Sequence, residues 1–397
     1  MLTSIALIFL SGMLLGNIFK KLKLPALIGM LIAGILLGPH VFYLLDDSLL
    51  AISSDLRQIA LVIILIRAGL SLEVEDLKKI GRPAVLMSFV PACFEMAATI
   101  FIAPKLLGLS LLDSALLAAV IASASPAVIV PRMLHLMETG YGTDKRIPQL
   151  VLAGDSVDDI FNIVVFSTLL GVAKGENISI LKAVNIPISI MIGIIVGVAT
   201  GFLLVKVFQR FRMRDSVKIL ILLSIAFLLL ALEGKIEESI PFSALLAVMT
   251  AGVVILQKRP KVAKRISGKL SKMWVAAEIL LFVLVGASVH IGYVAEAGIK
   301  AIFIFVFVLS IRAVGIFICL LKTDLNKKER LFCIFTGIPK ATVQAAIGGI
   351  PLAAGIASGE IILAVAVLAI LFTAPVGAFI LDISYKKLLK QQKNKRN

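Results

Sequence analysis

Asp158 and Asp159 stand side by side inside the apolar run 147–173, in the context Gly154-Asp-Ser-Val-Asp-Asp-Ile-Phe-Asn162. A carboxylate at the centre of a membrane helix costs about 2.5–3.5 kcal/mol on insertion scales. Two in succession need a reason, and the default reason in such a setting is an ion or proton pathway. Asp155 lies one helical turn before Asp159 and three residues before Asp158, so the three acids occupy adjoining faces. They cannot all be ionised without cations nearby. The same oxygens suit a proton or a small hard cation, and competition between the two is sufficient chemistry for exchange. The bland alternative is an acid cluster paired with Arg or Lys for helix packing. It is weakest for Asp159 and stays open for Asp155.

Other charges also lie where apolar residues are expected. Glu95, Arg312 and Lys340 each fall well inside an apolar run. Glu95 and Arg312 hold equivalent places in the two halves of the chain and are candidates for a buried ion pair. Lys340 is placed either to compensate a negative helix end or to pair with Asp158. Two runs also contain helix breakers. Ser123-Ala-Ser-Pro-Ala-Val-Ile-Val-Pro131 puts Pro126 and Pro131 within one, and Gly337-Ile-Pro-Lys-Ala-Thr342 puts Gly337 and Pro339 within another. Proline removes a backbone donor and clashes with the preceding turn. Such breaks survive at membrane depth only where protein or a wet cavity satisfies the freed groups. Paired breaks in corresponding positions point to a transport site. Ser123, Ser125 and Thr342 are then available as neutral oxygen ligands.

The elements that position these groups are membrane helices. Of 397 residues 60% are hydrophobic and 16% charged, and the mean hydropathy is +1.06; a soluble domain carries about 25% charged residues. Run length predicts an all-α polytopic membrane protein of about thirteen transmembrane helices. They fall near 2–19, 24–45, 56–72, 83–107, 112–137, 147–173, 179–207, 217–232, 241–257, 273–291, 295–321, 329–352 and 359–382. The first run has no basic leader or cleavage signal and reads as a retained helix. The net charge of +16 does not indicate nucleic acid. Its Lys and Arg cluster in alternate loops, among them Lys78–Arg82, Arg210–Lys218, Lys258–Lys272 and Lys322–Arg330. That bias predicts an outside N-terminus and a cytoplasmic C-terminus.

The halves resemble each other at an offset of about 213–218 residues. Pro25 to Ala33-Gly34 matches Pro241 to Ala251-Gly252, Leu65–Leu72 matches Phe282–Val289, and Ser125-Pro126 matches Ile338-Pro339. One intervening span inverts the second copy, so two inverted six-helix repeats are expected, the architecture of secondary transporters. Residues 1–386 read as one membrane transporter domain. Repeat one covers about 1–173, a linking helix about 179–207 and repeat two about 217–382, before a short basic cytoplasmic tail, 387–397. Glycines such as Gly29 and Gly34 read as close helix contacts. Cys93, Cys319 and Cys333 and three scattered histidines show no metal-ligand spacing. No catalytic motif is present, so an enzyme and a cofactor are not expected.

These motifs resemble the monovalent cation:proton antiporters, in the paired-aspartate branch of the sodium/hydrogen exchangers. The matching runs are Ser125–Pro131, Gly140-Tyr-Gly142, Ala153–Asp159 and Pro339-Lys-Ala-Thr-Val-Gln-Ala-Ala-Ile-Gly348. The last is similar to bacterial relatives of the mitochondrial-type exchanger. The resemblance implies a homodimer in the cell membrane, with a mobile core of about 83–173 and 295–382 and dimerisation helices elsewhere. Its two broken helices would cross near the ion site. It implies secondary active exchange of Na⁺, or Li⁺, for H⁺ by alternating access, with Na⁺ bound at Asp159 and Asp158 as its proton-linked neighbour. Relatives usually lack an acid at the position of Asp155. Charge-moving members carry a lysine on the helix that here carries Arg312, which implies one-for-one exchange unless Lys340 takes the proton role. The alternatives are a K⁺/H⁺ antiporter of the same superfamily and a sodium-coupled organic-anion symporter.

Overall fold

The structure is a computed structural model that describes residues 1–72, 81–173, 180–211, 213–236 and 242–392. Most of the basic loop at Lys78–Arg82, the Pro241 that opens the second repeat motif, and the end of the tail at 393–397 lie outside the described residues. Among the described residues the chain forms eighteen helices and no strands. They are α1 (Leu2–Lys21), α2 (Ala26–Leu37), α3 (Asp47–Ala51), α4 (Ser53–Gly69), α5 (Arg82–Met87), α6 (Val90–Leu107), α7 (Leu111–Ile121), α8 (Pro126–Thr139) and α9 (Ile147–Ala173). Then follow α10 (Ile180–Arg210), α11 (Asp215–Ile236), α12 (Ala244–Lys258), α13 (Pro260–Ala287), α14 (Ile291–Cys319), α15 (Lys327–Thr336), α16 (Thr342–Ile347), α17 (Ile350–Ala353) and α18 (Gly359–Leu388).

Each of the thirteen apolar runs overlaps helix among the described residues. Nine stretches among the described residues are long and apolar enough to cross a membrane. The others are shorter. Helix α2 stops at Leu37, before Gly38, and α12 covers 15 residues. The basic stretch Lys258–Lys272, expected as a loop, instead ends α12 at Lys258 and from Pro260 onward forms the first half of α13. Lys and Arg are good helix formers, and Pro260 at the first position pre-sets the backbone for a helix. The final helix also runs past the expected end near 382 to Leu388.

The described residues divide into two compact units. The first takes residues within 1–54, 76–174 and 281–397. In it α6 packs along α14, α14 on α18, and α9 on both α7 and α8. Its loop between α8 and α9 is tied down twice. Gln392 N–H donates to the Gly140 carbonyl at 2.8 Å and Gly142 N–H to the Lys390 carbonyl at 2.9 Å. Lys145 Nζ lies 2.8 Å from Glu329 Oε2, and Glu329 closes a capping box with Asn326 at the start of α15. The second unit takes residues within 55–75 and 175–280, where α10 packs along α12 and α12 on α11. Arg265 on α13 holds Asp215 at 2.9 Å.

Small residues set the closest approach within the first unit. A Cβ on Gly34 of α2 would lie 1.9 Å from the Val283 carbonyl oxygen of α13. That contact is with backbone, so no rotamer change relieves it. Gly34→Ala should force the two helices apart at a cost of about 1–3 kcal/mol and lower the melting temperature in detergent. Gly298→Ala, where nothing lies within 4 Å, should leave the melting temperature unchanged or raise it slightly. Equal behaviour of the two variants would show that the contact does not matter.

Candidate functional site

The first unit brings the sequence-selected residues together at two helix interruptions. Helix α7 ends at Ile121, residues 122–125 leave helical geometry, and Pro126 starts α8 as its first residue. Helix α15 ends at Thr336, the chain passes through Gly337 and Pro339, and α16 starts at Thr342. Pro126 and Pro339 thus stand where the breaks were expected. Pro131 does not: it lies inside α8, which continues through it. Proline's φ of about −65° is compatible with a helix, and there it removes one hydrogen bond without ending the element.

The interruptions meet. Ser125 N–H donates to the Pro339 carbonyl at 2.9 Å. The Ser125 and Thr342 hydroxyls are 3.2 Å apart, and both residues are buried. Gln344 Nε2 donates to the Ser123 carbonyl at 2.9 Å, and Thr373 Oγ1 of α18 accepts the Lys340 N–H at 2.9 Å. Backbone groups freed by the breaks therefore find partners inside the protein, as membrane depth requires.

Four buried charges bind this crossing. Arg312 donates to Glu95 Oε2 at 2.9 Å and to Asp158 Oδ2 at 2.8 Å. Lys340 Nζ donates to the same Glu95 oxygen at 2.7 Å. Both cations also reach the Ala122 carbonyl, just past the end of α7. That end carries the negative pole of the helix, where cations are favoured. The four are between 1% and 4% exposed, and the network alternates in sign. Gly337 makes room for it, because a Cβ there would lie 3.1 Å from Arg312 Nε and 2.5 Å from Ile316 Cδ1. Of the two candidate partners for Asp158, Arg312 makes the contact, and Lys340 is held by Glu95.

The two remaining acids of α9 differ. Asp159 is half-buried and accepts a hydrogen bond from the Ser123 hydroxyl. Asp155 is 8% exposed, and its Oδ2 has no hydrogen-bond partner among the described residues. Asp155 and Asp158 line a cavity of about 20 Å³ with Ala124, Arg312, Thr336 and Gly337 among the other walls, space for roughly one ordered water. Asp158 Oδ2 also accepts the Ala124 N–H at 3.2 Å, and Asn162 Nδ2 donates to the Asp158 carbonyl at 2.7 Å.

A family description, "Sodium/hydrogen exchanger, transmembrane", matches residues 5–386. Sodium/hydrogen exchanger 9B2 of Mus musculus is 33% identical over 419 residues, covering 99% of this chain and 75% of that protein. The Homo sapiens 9B2 protein is 32% identical, with 98% and 75% covered. The chain belongs to the sodium/hydrogen exchanger family. The exchanger's fold is that of a solved structure, the sodium proton antiporter MjNhaP1 from Methanocaldococcus jannaschii. The TM-score is 0.82 at 19% identity, with 97% of each chain covered. The exchanger is accordingly a multi-pass membrane transporter rather than an enzyme.

Sequence reasoning did not select Gln344, Asn162 or Thr373 as site residues. Each was visible as an amide or hydroxyl within an apolar run. Gln344 and Thr373 meet backbone groups that only folding brings near, whereas Asn162 bonds the Asp158 carbonyl one turn earlier on α9. The charge network makes a stability prediction. In the exchanger Lys340→Met should leave the buried Glu95 and Asp158 with one cation between them and cost about 3 kcal/mol or more. Adding Glu95→Gln should recover a large part of the loss, read as melting temperature in detergent. A purely additive double variant would show that the two do not interact.

Proposed function

We propose that the exchanger is a secondary active Na⁺/H⁺ antiporter in which proton and Na⁺ compete for Asp159. The observation that carries this reading is the placement of Asp159. It is the less buried of the adjacent acids, it lies at the crossing of two interrupted helices, and it is the one without a cationic partner in the network. Asp158 is committed to Arg312, so it serves as a fixed neighbour. Ser123 is within hydrogen-bond reach of Asp159 as a neutral oxygen, and Ser125 and Thr342 are close to the same crossing. Among the described residues no three His, Cys, Asp or Glu side chains form a group able to hold a metal ion. A site with few carboxylates and neutral oxygens suits a monovalent cation better than a divalent one.

Alternating access follows from the cost of charge. An empty, ionised Asp159 is expensive to move through hydrocarbon, whereas binding either H⁺ or Na⁺ neutralises it. The names of the similar proteins, which specify sodium and proton, support the choice of ions. The reading includes a homodimer of two inverted repeats, a mobile core of about 83–173 and 295–382, and basic loops facing the cytoplasm. The charge bias of the loops supports their cytoplasmic placement, and the paired breaks at 122–125 and 337–341 support the repeats.

Purified exchanger in proteoliposomes should acidify or alkalinise the lumen when a Na⁺ gradient is imposed, with Li⁺ able to replace Na⁺ and K⁺ not. Asp159→Asn should reduce that rate to the level of protein-free vesicles while keeping a native melting temperature. Exchange that survives in a folded Asp159→Asn protein removes Asp159 as the ion site. A response to K⁺ equal to that to Na⁺ assigns the other cation.

A further inference from the structure

The charges of the site do not cancel. Glu95 and Asp158 are matched by Arg312 and Lys340, every contact being 2.9 Å or shorter. Neither cation is free to take a further load, since both are also engaged by the Ala122 carbonyl. Two carboxyl groups remain, Asp159 and Asp155. They are one turn apart on the same helix, so their side chains lie on one face. No lysine, arginine or histidine contact is found for Asp155 among the described residues. Its Oδ2 is without a partner, in a residue more than nine-tenths buried, beside a cavity that Asp158 and Arg312 also line.

An ionised carboxylate in such a place, with no cation beside it, is not sustainable through a transport cycle. An unpaired buried charge is neutralised rather than tolerated. A packing role would give Asp155 a partner, as it gives one to Glu95 and Asp158. It instead has an oxygen without a partner and lines space for a proton and one water.

Resting on the reading of Asp159 as the ion site, we propose that Asp155 carries a second proton in each cycle, so that two protons exchange for one Na⁺. In the proton-loaded state both carboxyls are neutral. When Na⁺ enters, one O–H bond breaks on Asp155 and one on Asp159. Both protons leave to the side from which Na⁺ came, and the single cation is shared by the two carboxylates. The moving unit is neutral with two protons and carries one negative charge with Na⁺. The groups that face this charge are Arg312 from α14, Lys340 from the second interruption, Glu95 from α6, and Asp158 on α9 itself. One net charge therefore crosses per turn, and Asp155 fills the role that Arg312 and Lys340 are too firmly paired to play.

The test is the Na⁺ gradient that just cancels a one-unit pH gradient in proteoliposomes with the membrane potential held at zero. A two-for-one exchanger balances at about a hundredfold gradient and a one-for-one exchanger at about tenfold. The native protein should balance near the first value and Asp155→Asn, at whatever rate it exchanges, near the second. A native balance near tenfold, or an unchanged balance in Asp155→Asn, overturns the proposal. If Asp155→Asn does not transport, protons released per Na⁺ bound in detergent decide instead. Two are expected for the native protein and one for the variant, and equal counts overturn it. Loss of exchange in Asp159→Asn together with a native tenfold balance would leave the ion site standing and remove only the second proton.

Discussion

Everything at the crossing depends on Arg312. Its guanidinium holds Glu95 on α6 and Asp158 on α9 and reaches the carbonyl that ends the first half-helix. A planar fork of donors can serve three acceptors at once, which a lysine ammonium does less well. Without it, two buried carboxylates would share Lys340 alone. Breaking a buried pair by removing one partner costs about 3–5 kcal/mol, a large part of the net stability of a typical folded domain. The interruption at 337–341 is shaped around this group, since Gly337 leaves room where any side chain would meet Arg312 or Ile316.

The same network separates structural charge from working charge. Glu95 and Asp158 are partnered, so they hold helices together at a fixed geometry. Asp159 and Asp155 are left outside, on the same face of α9 as one another. A site for a mobile ion needs this division. Carboxylates that already own a cation have no reason to bind and release another, while those without one must acquire it from solution. The neutral oxygens of Ser123, Ser125 and Thr342 gather at the crossing because the backbone there is not helical, and because Ser125 and Pro339 bond to each other through the main chain.

The periphery of the first unit serves the same end. The loop between α8 and α9 joins the helix that starts at one interruption to the helix that bears the acids. It is pinned by Gln392 and Lys390 on one side and by Glu329 and the Asp324 carbonyl on the other. Those ties tether the loop that leads into the acidic helix, some turns from the acids themselves.

Much of this was written in the linear chain. Twenty-residue apolar runs have one stable solution in lipid, because only a helix satisfies its own backbone there. Hence helices underlie the runs among the described residues, and the cost of charge in hydrocarbon marked Glu95, Asp155, Asp158, Asp159, Arg312 and Lys340 as residues with a purpose. Pro126 and Pro339 marked the breaks for the same reason. What the chain could not declare was pairing. Arg312 and Lys340 are both cations in apolar runs, and which one meets Asp158 depends on angstrom-scale distances between helices more than a hundred residues apart in sequence. Nor could it say that Pro131 would be absorbed into α8, or that the basic stretch from Lys261 to Lys272 would be helical, since neither charge nor proline forbids a helix outright. Composition and spacing determined which groups are costly; only the packing of α6, α7, α9, α14 and the second interruption decided which of those costs are cancelled, leaving Asp155 and Asp159 to be neutralised from solution.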